Sequence, residues 1–268
     1  MKLRDAKHAF VTGGASGIGL GIADALAARD IAVTIADINE DALAAVVAQR
    51  GARFRGQPLD TRDREGWQRA KAEAEAAFGP VDILVNNAGI APNGRPFADM
   101  DPESFDRILA INLVGVFNGV SAFAAGMRDR GAGHIVNTSS QAGLVTTVPG
   151  VGAYSVAKFG VTALTEALRT ELSPHGVGVT VLCPGYVQTN LAANTTRVGG
   201  EIRSYTSDMP PSGTSAAEVG EMVAAAIEED APYVITHKGV WPGLERRMNA
   251  LRQACEAREG ACASTSSA

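Results

Sequence analysis

Tyr154 and Lys158 stand four residues apart, a spacing that puts both side chains on one face of a helix. An ammonium beside a phenol favours the phenolate, so such a pair can exchange a proton with an alcohol or carbonyl oxygen near neutral pH. Alone, the spacing is equally that of a solvated surface pair, and it gains meaning from its neighbours. Ser139 and Ser140 follow the run HIVNT, where a hydroxyl at a strand end could steady a substrate oxygen. Two serines before a glycine also suit a plain polar turn. Neither has a local His or Asp to make it an acyl-transfer nucleophile, so Ser140 reads as a hydrogen-bond donor.

A second group is Thr12-Gly13-Gly14-Ala15-Ser16-Gly17-Ile18-Gly19, set between an apolar run and an Ala-rich one. At the junction of a strand and a helix, backbone N–H groups and the positive helix end can hold a pyrophosphate. Gly13 permits the turn, and Gly17 and Gly19 allow close approach of diphosphate and strand. A glycine cluster by itself equally marks a tight turn. Asp37 lies eighteen residues beyond Gly19, where a carboxylate can accept from the adenosine ribose hydroxyls. It would repel a 2′-phosphate, and neither Ser16 nor Ile38 supplies a cation, so NAD is expected over NADP. The competing reading has Asp37 cap a helix that begins near Asn39.

Short β-branched runs alternate with longer Ala-rich ones, the pattern of βα units on a parallel sheet covered on both faces. Strands are expected at 9–12, 32–36, 54–59, 83–86, 134–138, 178–182 and 233–235. Helices are expected at 17–29, 40–50, 64–78, 102–128, 153–172 and 216–229, the fourth interrupted around Asn112 to Gly115, and again from Pro242 onward. The fold class is therefore α/β, a single Rossmann-type doubly wound domain over residues 1–258 with a mainly parallel seven-stranded sheet. Residues 191–213, rich in Asn, Thr, Gly and Pro, read as a substrate lid, and 259–268 as a frayed, disordered tail.

With 46% hydrophobic and 20% charged residues, the 268-residue chain can build a sizeable core. A formal net charge of −5 without a basic block argues against nucleic acid or anionic lipid as partner and for a small-molecule substrate. Cys183, Cys255 and Cys262 form no CxxC pair, and His8, His134, His175 and His237 show no ligand spacing, so neither disulfides nor a metal site is expected. The N-terminal run lacks a signal-peptide pattern and no uninterrupted apolar stretch approaches a membrane span, making the cytoplasm the expected location.

Taken together, the residues resemble the short-chain dehydrogenase/reductase superfamily, in its branch with a TGxxxGxG loop, an NNAG segment and a YxxxK pair. TGGASGIG, Asn86-Asn87-Ala88-Gly89, Asn112, Ser140, Tyr154-Ser155-Val156-Ala157-Lys158 and Pro184-Gly185-Tyr186-Val187-Gln188-Thr189 occur in family order. The resemblance implies that Tyr154 is the general acid/base, Lys158 its activator and ribose ligand, Ser140 the group orienting substrate oxygen, and Asn112 the holder of a water in the proton relay. It further implies that Asp60 with Thr61 lies beside adenine, that Asn87, Ala88 and Gly89 line the adenosine side, and that Pro184, Gly185, Val187 and Thr189 anchor the nicotinamide. Asn86 would stabilise the sheet instead. Ser140 precedes Tyr154 by fourteen residues, one more than is common in the family, with the extra residue assigned to TTVPGVGA.

Gln141, Val145, Thr147, Tyr186 and Leu191 would close a pocket for a neutral, fairly bulky secondary alcohol or ketone, with Arg197 and Arg203 of the lid left to solvent. GHIVNTSS and YVITH are similar to segments of bacterial dehydrogenases for secondary and benzylic alcohols. Family members form homotetramers or homodimers through the helices at 102–128 and 153–172, and the same is expected here. Two rival readings stand beside an NAD-linked alcohol dehydrogenase: an NADPH-dependent 3-oxoacyl-type reductase, opposed by Asp37, and a catalytically silent binding protein, opposed by the intact Asn, Ser, Tyr and Lys set.

Overall fold

β1 (His8–Thr12), β2 (Ala32–Asp37), β3 (Phe54–Pro58), β4 (Ile83–Asn86), β5 (Gly133–Thr138), β6 (Val177–Cys183) and β7 (Tyr233–Ile235) lie within one residue of the predicted strand ends. In the computed structural model, which describes residues 2–146, 148–187, 189–202 and 214–265, with side chains to 257, they pair in parallel in the order β3-β2-β1-β4-β5-β6-β7. The order reverses between β1 and β4, and a crevice for ligands opens there at the carboxyl ends of the strands.

Alternation along each strand builds two apolar layers. Ala9, Val11, Ile83, Val85 and Val136 pack on Ile22 and Leu26 of α1 (Gly17–Ala27) and on Val223 and Ile227 of α8 (Ala216–Glu229). Phe10, Leu84 and Ile135 point the other way, onto α3 (Arg64–Phe78), α5 (Gly115–Arg130) and α6 (Gly152–Leu172). The rings of Phe10, Trp67 and Phe123 meet there at centroid distances of 5.2 to 6.3 Å, each pair adding roughly 0.5–1.5 kcal/mol beyond simple burial.

Helix starts follow local chemistry. The Asn39 side chain accepts from the Ala42 N–H to open α2 (Glu40–Arg50), and Asp101 accepts from the Ser104 N–H to open α4 (Pro102–Leu109). Ser215 and Glu218 form a reciprocal capping box at α8. Where the sequence suggested an interruption, the chain forms a π turn, Ala110–Val114, that joins α4 to α5 without a break. The stretch Pro102–Arg130 is long and apolar enough to cross a bilayer by composition, yet 56% of its most apolar window is buried in this domain.

Two stretches add detail to the expected organisation. The segment read as lid begins with a helix, α7 (Leu191–Arg197), while residues 203–213, Arg203 among them, lie outside the described residues, as do Thr147 and Gln188. The final helix, α9 (Trp241–Thr265), carries helical backbone through residues 259–265 of the stretch expected to fray.

Candidate active site

The glycine loop turns at the carboxyl end of β1. Gly17 has φ +54°, a conformation that penalises any Cβ, and a Cβ there would also lie 3.0 Å from that of Thr189. At Gly19 a Cβ would collide with the carbonyl oxygen of Gly13. Ser16 is the N-cap residue of α1, but its side chain makes no cap hydrogen bond and no acidic residue occupies the first turn. The opening N–H groups and positive end of this helix are thus not neutralised by its own side chains, and the loop fits a diphosphate. Ser16 Oγ instead accepts from Asn194 of α7 at 3.4 Å, and Ile18 packs on the core.

Thr12 was not singled out by sequence, yet it fastens this loop to the next. Its hydroxyl accepts from the N–H groups of Asn87 and Ala88, at 2.9 and 3.0 Å, and the Asn87 amide donates to the Thr12 carbonyl. A threonine as the last strand residue before a glycine turn is the signal that could have revealed it. Asn86 joins Asn137 at 2.9 Å, and Asn137 joins Thr165, forming a buried ladder that ties β4, β5 and α6.

Asp37, a residue 9% exposed, ends β2, and its carboxylate accepts from the N–H of Ala15 at 3.3 Å and of Asn39 at 3.0 Å. Asn39, not Asp37, caps α2. Beyond it lies a groove of about 240 Å³ lined by Ile38, Gln57, Leu59, Asp60 and Arg69. A larger hollow of about 320 Å³ sits at the other end of α6 from Tyr154, around Glu166, Arg169 and Tyr233, away from every residue singled out for chemistry. Both Asp60 oxygens are held by Arg62, the shorter contact being 2.6 Å, and this partner lowers the Asp60 carboxyl below its usual range. An adenine contact by Asp60 would therefore share the carboxylate with Arg62. Thr61 is buried, its carbonyl accepting from Trp67 and Asn118.

Asn112 lies in the π turn, fully buried. Its Oδ1 accepts from the Ile90 N–H at 2.9 Å and its Nδ2 donates to the Ile90 carbonyl at 3.1 Å. The amide is committed to the loop just past Gly89.

Tyr154 and Lys158 share the inner face of α6. Tyr154 is half-buried, and Lys158 Nζ lies 5.6 Å from its ring centroid. Lys158 is 3% exposed and donates to the Thr138 carbonyl at the end of β5, at 2.8 Å. Burial brings its ammonium down to about 8, opposed in small part by Cys183, so it stays protonated at neutral pH. The two serines divide their work. Ser139 is buried and donates to the Lys158 carbonyl at 2.8 Å, bracing α6, while Ser140 is half-exposed and its Oγ accepts from the Ala142 N–H. Cys183 is close by, but burial pushes its thiol up to about 12, which removes it as a thiolate nucleophile.

After β6, Pro184 and Val187 are buried, and the Gly185 N–H is held by Thr236 Oγ1 and His237 Nδ1 at 3.3 and 3.2 Å. That clamp was also missed, since it joins residues some fifty positions apart. Thr189 Oγ1 accepts from the Leu191 N–H, and Gln141 Nε2 donates to the His237 carbonyl. Tyr186 is half-buried, Leu191 and Arg197 are exposed, and Val145 packs near Gly243 of α9. Among the described residues no group of three His, Cys, Asp or Glu side chains could hold a metal.

Residues 7–198 match the family model described as short chain dehydrogenase. The oxidoreductase EphD of Mycobacterium tuberculosis is 42% identical over 189 residues, which are 69% of this chain and 32% of that protein, so the chain spans about a third of that relative's length. The C alpha-dehydrogenase of a Sphingobium species is 32% identical over 258 residues, 91% of this chain and 84% of its own. A short-chain dehydrogenase/reductase from Burkholderia phymatum, solved with NAD, superposes with a TM-score of 0.85 at 30% identity, covering 95% of this chain and 97% of that one. Solved neighbours include one bound to NADPH as well.

Proposed function

Because the chain belongs to the short-chain dehydrogenase family, we propose that it is an oxidoreductase that interconverts a secondary alcohol and a ketone with NAD(H). The observation that carries this reading is the buried Lys158 ammonium set beneath half-buried Tyr154 at the carboxyl end of the sheet. The nicotinamide supplies or takes up the hydride when bound. In alcohol oxidation Tyr154, favoured as phenolate by the Lys158 charge, accepts the hydroxyl proton, and in ketone reduction it returns one. Ser140 donates a hydrogen bond to the substrate oxygen. Lys158 holds its charge under the ring and binds ribose, while Asn112 fixes the loop after β4 that borders the same crevice.

The glycine loop, with its uncapped helix start, would hold the diphosphate, and Asp37 the adenosine ribose. Pro184, Gly185, Val187 and Thr189 would hold the nicotinamide end. NAD is preferred in this reading because Asp37 would repel a 2′-phosphate and the nearby cations Arg62 and Arg69 are paired with Asp60 and Asp63. The substrate is neutral and fairly bulky, since Gln141, Tyr186 and Leu191 bring no charge to the pocket. Copies associate through the helical stretch from Pro102 to Arg130 and through α6, where Val114, Phe117 and Val156 are 38%, 48% and 45% exposed, and the chain works in the cytoplasm.

Tyr154→Phe tests the proposal. The variant should bind NADH with unchanged fluorescence titration and lose about 1,000-fold or more in turnover of a secondary alcohol, within the range for removing a general acid/base. Near-wild-type turnover with intact NADH binding would sink the assigned role.

A further inference from the structure

β6 and β7 run parallel, and their ladder ends by pairing Cys183 with Ile235. Carried two residues on, that register sets Gly185 beside His237, where the Gly185 N–H meets two side chains instead of a backbone carbonyl. It reaches Thr236 Oγ1 at 3.3 Å and His237 Nδ1 at 3.2 Å, and those two atoms lie 2.6 Å from each other. The network assigns the protons. Thr236 Oγ1 accepts from Gly185, so its own hydrogen goes to Nδ1, and Nδ1 can receive two donors only as an unprotonated nitrogen. The ring proton therefore sits on Nε2.

Nε2 is buried and has no hydrogen-bond partner among the described residues. A buried donor left unpaired costs stability, so the ring's own hydrogen bonding does not explain why a histidine stands here. What the ring does is hold its neighbour. A Cβ at Gly185 would come within 2.7 Å of His237 Cγ, so the ring lies directly against that backbone. The other side of the same peptide is held as well. The Pro184 carbonyl accepts from the Gln141 N–H at 3.0 Å, and the Gln141 side chain donates to the His237 carbonyl at 3.3 Å. Because a peptide unit is planar, gripping both its carbonyl and its N–H fixes the direction of the whole plane. Gln141, Pro184, Gly185 and His237 thus close a circuit at the carboxyl edge of the sheet, one residue from Ser140. Removing the His237 acceptor frees the N–H end, and the peptide can then turn about its held carbonyl.

We infer that His237 is a positioning residue for the nicotinamide end of the cofactor, acting through the Gly185 peptide. This rests on the reading that Pro184, Gly185, Val187 and Thr189 receive the nicotinamide. The adenosine end, at Asp37 on β2, lies four strand positions away from β6 in the sheet and does not feel the change.

The test compares two ligands on the purified full chain by titration calorimetry. One is NADH, and the other is ADP-ribose, which has the same adenosine diphosphate ribose without the nicotinamide. His237→Leu should weaken NADH binding about 10-fold, the effect of one lost hydrogen bond, and leave ADP-ribose binding unchanged. His237→Asn, whose Oδ1 can stand where Nδ1 stands, should bind NADH within about 2-fold of wild type. Thr236→Val keeps the ring and removes the hydroxyl beside it, and should weaken NADH binding about 3-fold, again with no effect on ADP-ribose. Equal losses for both ligands would mean that His237 only stabilises the domain, and an unchanged NADH affinity in His237→Leu would mean that Gly185 needs no such anchor. Either result overturns the inference, as does an Asn variant no better than Leu. Where His237→Leu does not fold, Thr236→Val decides by the same comparison. A wild type that binds ADP-ribose as tightly as NADH would overturn the nicotinamide site of the proposed function and this role with it, whereas the other failures leave that site standing.

Discussion

Replacing Lys158 by Met removes a charge from beneath Tyr154 while keeping a side chain of similar length in a 3%-exposed site. Taking the 5.6 Å from Nζ to the ring centroid as the charge separation, with an effective dielectric of about 20, the lost interaction is about 3 kcal/mol, equivalent to about two pH units. Initial rates of NAD reduction with a secondary alcohol, followed from about pH 6 to about pH 11, should show the alkaline-rising limb displaced upward by about two units. The rate at neutral pH should fall about 100-fold and recover largely in alkali. Folding should survive, because burial already holds Lys158 at about 8 against an ordinary 10.5. Between those values the unfolded chain binds more protons than the folded one, so wild-type stability rises with pH across that window, and the Met variant should lack the rise. If the rate fell equally at every pH with the limb in place, the charge would not be what Lys158 contributes. Its bond to Thr138 would then carry the effect.

Asp37→Ser should weaken NADH binding and strengthen NADPH binding, moving the ratio about 10- to 100-fold by nicotinamide fluorescence; an unmoved ratio would remove Asp37 from cofactor choice. Asn112→Ala leaves the Ile90 N–H and carbonyl without their partners in a buried site, and urea unfolding should show a loss of roughly 2–4 kcal/mol together with reduced turnover. His134 is buried, and desolvation holds it near 3 against 6.5, so the unfolded chain gains a proton first as pH falls. Wild-type stability should therefore drop from about pH 6.5 toward about pH 3, and His134→Leu should drop less in thermal melts across that range.

Much of the scaffold was legible because β-branched strands and Ala-rich helices differ in composition along the chain itself. The TGGASGIG loop and the Tyr154, Lys158 pair were legible for the same reason, as their chemistry depends on residues close in sequence. What escaped detection depends on partners far away. Thr12 becomes informative only when Asn87 and Ala88 fold onto it, and His237 only when Gly185 arrives beside it. Helix α7, built from Asn and Thr with modest helix propensity, is fixed by Thr195, which accepts from the Ala91 N–H and donates to the Leu191 carbonyl. The reach of Asn112 toward Ile90 likewise follows from a π turn, of which the sequence marked only an interruption around Asn112 to Gly115.

That π turn also couples two surfaces that look independent. It takes up one residue more than an α-helix would over the same rotation, so winding the same residues as unbroken α-helix would turn everything downstream by about 100° relative to everything upstream. Phe117 would leave the outer face while Asn112 lost Ile90. The outward face of α5 and the inner wall of the crevice are thus phased by the same inserted residue, so neither can be re-aimed by changing helix length without carrying the other with it.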